Sequence, residues 1–354
     1  MVSAAFAGCG DDSRAVRATF QGLGFLDDEP NTSTRAFGIS ADGSTVVGDA
    51  ISPDTLEAFR WTATGGLEGL GFPMNKLQSE AIAANEDGSV IAGTVKGFFG
   101  TAPVAARWSS GAGWETLSGQ GFVPIQSRGI SADGNTLVGA AQFLGLILQE
   151  GFLWAPAGGT QLVGQLSEGN PTVATGISAD GAVVCGFGID DTGDTLAFRR
   201  TMQSGLVALP VLPGGGDCFG NGISADGGTI VGLCEFGADS EAVLWDERGV
   251  VALGFLPGGI GSFLRAVSAD SSVGVGQAGD SEGIAHAAIW TEAKGLQDLR
   301  EVLVGLGLGT ALDGWLLSTA NAVSGDGRVI AGFGSDPEGN VQAYVATLPA
   351  TALQ

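Results

Sequence analysis

One histidine, one tyrosine and three lysines are all that the 354 residues hold of these types. A single imidazole, His286, excludes metal sites built from several histidines and leaves a Ser-His-Asp triad only one possible base. Fifteen basic residues stand against 38 acidic ones, a net charge of −23. Binding to phosphate backbones rests on clustered Lys and Arg, so nucleic acid is excluded as a partner. The acidic surface suits solubility, cation binding or a basic partner. No run approaches the ~20 apolar residues that cross a bilayer, so no transmembrane span is expected. What the chain has instead is glycine, 62 residues of it.

The glycines belong to a repeat. A phrase built on Ser-Ala-Asp-Gly occurs seven times, with aspartates at 42, 87, 133, 180, 226, 270 and 326. Successive gaps are 45, 46, 47, 46, 44 and 56 residues, and a fixed period in the forties marks a repeat array or propeller. Residues 35–72 read as one unit: Arg35–Ser40, a turn at Ala41-Asp42-Gly43, Ser44–Gly48, Glu57–Trp61, and a last strand after Thr64-Gly65-Gly66. Aspartate bonds its own backbone in such a turn, and glycine takes positive φ without a Cβ clash. Four short strands with turn punctuation and no helical period predict an all-β fold, a seven-bladed β-propeller of four-stranded antiparallel blades.

The last unit lacks a fourth strand, and residues 17–24 match the missing one, so the N-terminal strand is expected to complete the last blade and close the ring. An open solenoid would need polar caps instead. Residues 17–350 are thus one propeller, and residues 1–16 a leader remnant and tether. Trp61, Trp108, Trp154, Trp245 and Trp290 share one place in the third strand, a repetition that argues for inter-blade packing over a sugar-stacking platform.

Ala7-Gly8-Cys9 resembles the end of a bacterial lipobox, which makes Cys9 a candidate lipid anchor. Cys218 and Cys234 flank one Ser-Ala-Asp-Gly turn. If Ala225–Gly227 form a three-residue loop, Ser224 faces Gly228, and six residues outward Cys218 faces Cys234. A disulfide there suits an oxidising compartment.

Glu57-Ala58-Phe59-Arg60-Trp61, Glu150-Gly151-Phe152-Leu153-Trp154, Leu196-Ala197-Phe198 and His286-Ala287-Ala288-Ile289-Trp290, with the Gly-Ile-Ser-x-Asp-Gly and Leu-Gly portions, resemble the HAF family of extracellular repeats. The resemblance covers nearly the whole chain. It implies an exported bacterial protein, extracellular or in the cell envelope, and brings no catalytic residues.

Two neighbouring second-to-third-strand loops are apolar and mark a candidate binding rim: Phe98 and Phe99 in one, Phe143, Leu144, Leu146 and Ile147 in the next. Asp190 and Asp194, and Asp336 and Asn340, have the alternate spacing of calcium ligands, too few for a full EF-hand set. No other cofactor is expected. The 21 residues 299–319 form an insertion that covers the rim, plugs the channel or packs between blades. Gly274–Gly279 spells G-x-G-x-x-G without a following helix, which removes the dinucleotide reading. The expectation is a non-catalytic envelope binding or scaffold module for a protein or surface ligand. The alternative is a carboxylate-based hydrolase or lyase of an extracellular polysaccharide, which acidic side chains converging on the channel would favour.

Overall fold

The Ser-x-Asp-Gly phrase builds a tight turn held by its own serine and aspartate side chains. In the third unit Ser131 Oγ donates to Asp133 Oδ1 (2.6 Å) and accepts from the Thr136 N–H (2.9 Å), while Asp133 accepts from the Asn135 N–H. Gly134 sits at φ +71°, which a side chain would strain. The computed structural model describes residues 17–27, 32–51, 55–97, 101–145, 148–237 and 239–354. Among them, no helix is long and apolar enough to cross a membrane.

On either side of each turn the chain forms four-stranded antiparallel sheets. In the first unit Ser33–Ile39, Thr45–Ile51, Leu56–Thr62 and Gly66–Gly69 pair in that order. The second unit, starting at Gln78–Ala84, joins the first through one parallel bridge, Leu56 to Gln78. Four separate four-stranded sheets follow, starting at Phe122, Thr172, Cys218 and Ser262. The sheet containing Leu316–Val323, Val329–Ser335 and Val341–Thr347 takes Thr19–Gly22 as its outer strand, with Thr19 opposite Thr347.

The apolar core is divided accordingly. Among the described residues seven buried clusters occur, each shared by two neighbouring units, including one between the last and the first: Ala322, Ala331 and Ala343 against Ala36, Phe59 and Trp61. The tryptophans serve this packing. Trp245 is buried and donates to the Pro210 carbonyl (2.7 Å), and Arg200, which replaces tryptophan one unit earlier, donates to the Val163 carbonyl (3.0 Å).

The Ser-x-Asp-Gly turns also bond one another. Backbone N–H groups run Asp42 to Glu86, Glu86 to Ala132, Ala132 to Ala179, Ala179 to Ala225, Ala225 to Ala269, Ala269 to Gly325, and Gly325 back to Ala41, at 2.8–3.3 Å. Six of the seven turns carry alanine or glycine at this place, and Glu86 takes it in the second unit.

Cys218 and Cys234 are bonded across facing strands. The insertion forms a short helix, Leu299–Leu303, capped by Asp298, and buries Leu299, Leu303 and Leu312 between the last two units, so of the three expected places it takes the packing one. Gly274–Gly279 lies within strand Val273–Gly279, as the dinucleotide test required.

Candidate functional site

The innermost strand of every unit carries a β-bulge at the same place, where one residue drops out of the pairing ladder. The seven bulged residues are Phe37, Ile82, Arg128, Thr175, Asn221, Arg265 and Asn321, each just before the Gly-Ile-Ser phrase or its variant. All seven line one central channel of about 390 Å³. A bulge re-aims a side chain, and here it turns one residue per unit away from the inter-unit cores.

A glycine opposite each bulge makes this geometry possible. Gly48, Gly93, Gly139, Gly186, Gly232, Gly276 and Gly332 stand on the second strands, where an added Cβ would run into the carbonyl oxygens of Arg35, Glu80, Gln126, Val173, Phe219, Phe263 and Thr319.

The bulged residues divide by what holds them. Thr175 Oγ1 donates to the Gly220 carbonyl (2.7 Å), Asn221 Nδ2 to Leu264 (2.8 Å) and Asn321 Nδ2 to Ala36 (2.7 Å), so these three tie each unit to the next. The two arginines make no such tie. Arg128 reaches Gln126 Oε1 (2.9 Å), and Arg265 lies 4.9 Å over the Phe263 ring. They alone among the seven are exposed, and no carboxylate lines the channel with them or forms an ion pair with either among the described residues. Enclosure by the channel wall lowers both guanidinium pKa values, and the charge of Arg128 adds to the effect on Arg265.

Carboxylates gather beside the channel on the first two units. Asp49 is 1% exposed and takes two hydrogen bonds from Arg35 (2.9 and 2.6 Å), while Glu80 pairs with Lys96 (3.1 Å). Burial pushes the Asp49 carboxyl above its ordinary value, against the pull of Arg35, and the charge of Glu80 pushes the same way. Arg35 also lies 5.5 Å over Phe37, which joins this group to the channel wall. Behind it, Thr94 Oγ1 on the strand facing Glu80 is buried without a hydrogen-bond partner, as is Ser127 Oγ next to Arg128.

Of the expected rim residues, Phe143 packs against Phe122 (6.1 Å between rings) at the edge of a core cluster, and Leu144 is 67% exposed. Phe98, Phe99, Leu146, Ile147 and Cys9 lie outside the described residues. The calcium candidates are spent on their own turns. Asp190 Oδ1 accepts from the N–H groups of Thr192 and Asp194, and Asp194 accepts from the Thr192 hydroxyl. Asp336 Oδ1 accepts from the N–H groups of Glu338 and Asn340, and its other oxygen takes the Asn340 and Gln342 amides. His286 sits between Asp280 (3.2 Å) and Asp298 (2.8 Å), and Asp298 caps the inserted helix, a structural use for the one imidazole.

No family model matches the chain, and no curated protein does. Solved structures do. An oligogalacturonate lyase in complex with manganese is similar over 96% of this chain and 99% of its own, at 12% identity and TM-score 0.63. The oligogalacturonate lyase of Vibrio parahaemolyticus is similar over the same shares at 11% identity and TM-score 0.61. TolB of Acinetobacter baumannii is similar over 88% of this chain and 65% of its own, at 12% identity and TM-score 0.50. The fold is therefore β-propeller-like.

Two expectations are corrected. The chain was expected to be a non-catalytic module and not an enzyme, on the ground that a repeat scaffold short of histidine lacks catalytic equipment. A fold that matches oligogalacturonate lyases along their whole length removes that ground, because the same scaffold carries lyase chemistry. The expectation of no cofactor, with weak calcium candidates, is corrected by the manganese of the first of these structures. The residues present here do not fit such an ion: among the described residues no group of three or more His, Cys, Asp or Glu is placed to hold a metal. Asp190, Asp194 and Asp336 already accept hydrogen bonds from backbone N–H groups, a hydroxyl and side-chain amides of their own loops.

Proposed function

We propose that the chain is a seven-bladed, closed β-propeller enzyme that cleaves glycosidic bonds of an extracellular polysaccharide by carboxylate chemistry, beside the mouth of its central channel. The closed ring is supported by the turn-to-turn hydrogen bonds that return from Gly325 to Ala41 and by the outer strand Thr19–Gly22 in the last sheet. The observation that carries the activity is the Asp49–Arg35 and Glu80–Lys96 group, which reaches the channel wall only through Arg35 over Phe37. Asp49 is sealed from solvent and bonded twice to Arg35, and Glu80 is the more accessible carboxylate beside it. Glu80 is the reachable member and handles the substrate proton. Asp49, sealed from solvent, holds Arg35 and acts as a positioning residue.

The likeness to oligogalacturonate lyases supports the class of reaction, and the side chains supply the roles. No step is assigned to a metal. The disulfide and the HAF-like repeats support export, extracellular or in the envelope, with Cys9 as the proposed anchor.

The test is turnover of a polysaccharide panel that includes polygalacturonate, read both as new reducing ends and as ultraviolet absorbance of an unsaturated product. Both signals together indicate elimination, and reducing ends alone indicate hydrolysis. Glu80→Gln should lower kcat at least a hundredfold, the scale of lost general acid–base catalysis, with the fold intact. Turnover unchanged in Glu80→Gln would refute the assignment.

A further inference from the structure

Nothing in the chemistry above uses Arg128 and Arg265, and their placement has no structural explanation. Each occupies the bulged position where Thr175, Asn221 and Asn321 tie one unit to the next, and neither makes that tie. Each projects into the channel, in a wall that offers no carboxylate. Two like charges lining one channel repel each other, and the charge of Arg128 acts on Arg265 in that sense. In a chain with 15 basic residues against 38 acidic ones, two cations facing one cavity without acidic neighbours are a local reversal of the surface charge.

We infer that Arg128 and Arg265 form an oxyanion site, and that its ligand is a sugar chain bearing carboxylates, such as a uronate oligosaccharide. A guanidinium presents a planar fork of donors that matches a carboxylate in two parallel hydrogen bonds. The surrounding wall fits a sugar. Asn221, Asn321, Thr175 and Gln126 offer polar atoms, Phe37 and Ile82 offer apolar faces, and about 390 Å³ is within the range of ligand pockets. The acidic exterior does not oppose entry strongly, because charges beyond ~8 Å are largely screened at physiological ionic strength. The sugar class rests on the proposed function; the oxyanion site does not.

The experiment is calorimetric titration of the whole chain with three probes: a galacturonate trimer, its methyl-esterified neutral form, and inorganic phosphate. Each is repeated on Arg128→Gln, Arg265→Gln and Glu80→Gln. The trimer should bind, the ester should not, and either arginine variant should weaken the trimer at least tenfold, while Glu80→Gln binds like wild type. Melted without ligand, the arginine variants should be as stable as wild type or more so, whereas a structural arginine would destabilise on removal. Phosphate binding that depends on both arginines, with no trimer binding, upholds the oxyanion site and overturns the sugar. Trimer binding unaffected by either arginine variant, or no binding of either anion, overturns the inference. An arginine-dependent trimer in a chain without turnover leaves this site standing and removes only the enzyme reading.

Discussion

Replacing Gly139 by alanine tests the bulge that positions Arg128. The new Cβ would meet the Gln126 carbonyl group on one side, with its carbon 2.9 Å away, and Cε1 of the Phe152 ring at 2.9 Å on the other. The first obstacle is backbone and the second is a ring in a packed cluster, so neither yields at low cost. Overpacking of this kind costs ~1–3 kcal/mol, and the backbone contact places Gly139→Ala at the upper end. An unfolding entropy of about 2 cal/mol/K per residue over a chain of this length converts ~3 kcal/mol into a fall of roughly 4 °C in the melting midpoint. Gly111→Ala is the control. Nothing lies within 4 Å of the Cβ it would add, and its φ is not in the positive region, so the change should be neutral or slightly stabilising. The assay is thermal unfolding of both variants beside wild type, followed by trimer titration, where the displaced bulge should weaken binding through Arg128. If Gly139→Ala melts within about 1 °C of Gly111→Ala, the link between glycine and bulge is wrong.

The turn hydrogen bonds and the disulfide yield two further expectations. Ser131→Ala removes the hydroxyl that donates to Asp133 and accepts from the Thr136 N–H, and should cost ~1–3 kcal/mol at pH 7. Ser131, then the Asn135 N–H, hold the Asp133 carboxyl below its ordinary value. A depressed carboxylate stabilises the fold above its unfolded pKa of about 4 and loses that contribution as pH falls through the folded value. The gap between wild type and Ser131→Ala should therefore shrink from pH 7 to pH 3, and denaturation curves showing a constant gap would count against the account. Reduction of Cys218–Cys234, which are 16 residues apart, should lower stability by ~3 kcal/mol. A reductant should shift the melting curve of wild type and leave the Cys218→Ser/Cys234→Ser variant unmoved.

The repeat made the sheets legible, because turn chemistry and strand length repeat with it. The cysteine pairing was legible for a partly mistaken reason. The sequence reading faces Ser224 with Gly228, whereas Ile223 faces Ile230, one residue out of step. The bulge at Asn221 takes one residue out of the ladder and restores the step from Gly220 outward, so Cys218 meets Cys234 after two offsets cancel. The channel was missed. Long loops and acidic spacings stand out in the sequence instead, and the acidic ones are turns satisfied within their own loops. The available signal was a single varying column inside an otherwise uniform phrase: Phe37, Ile82, Arg128, Thr175, Asn221, Arg265 and Asn321 just before Gly-Ile-Ser or its variant. Reading that column requires knowing that a bulge turns it inward, and bulges leave no mark in composition. The glycine opposite each one did recur seven times, and its cause lies in the third dimension.

A regular inner strand would send its side chains alternately into the cores on either side, leaving the channel lined by backbone edges. One bulge per unit frees one side chain per unit, and the channel then has seven positions at which residue type can change. Where Thr175, Asn221 and Asn321 stand, the freed side chain is used to bind the next unit. Where Arg128 and Arg265 stand, that bond is forgone. A sequence under selection for stability alone would place asparagine or threonine at both positions, as it does in three of the other units. Residues that cost stability at a ligand-sized cavity are the usual mark of function. The seven-residue column is therefore where the proposed specificity of this chain lies.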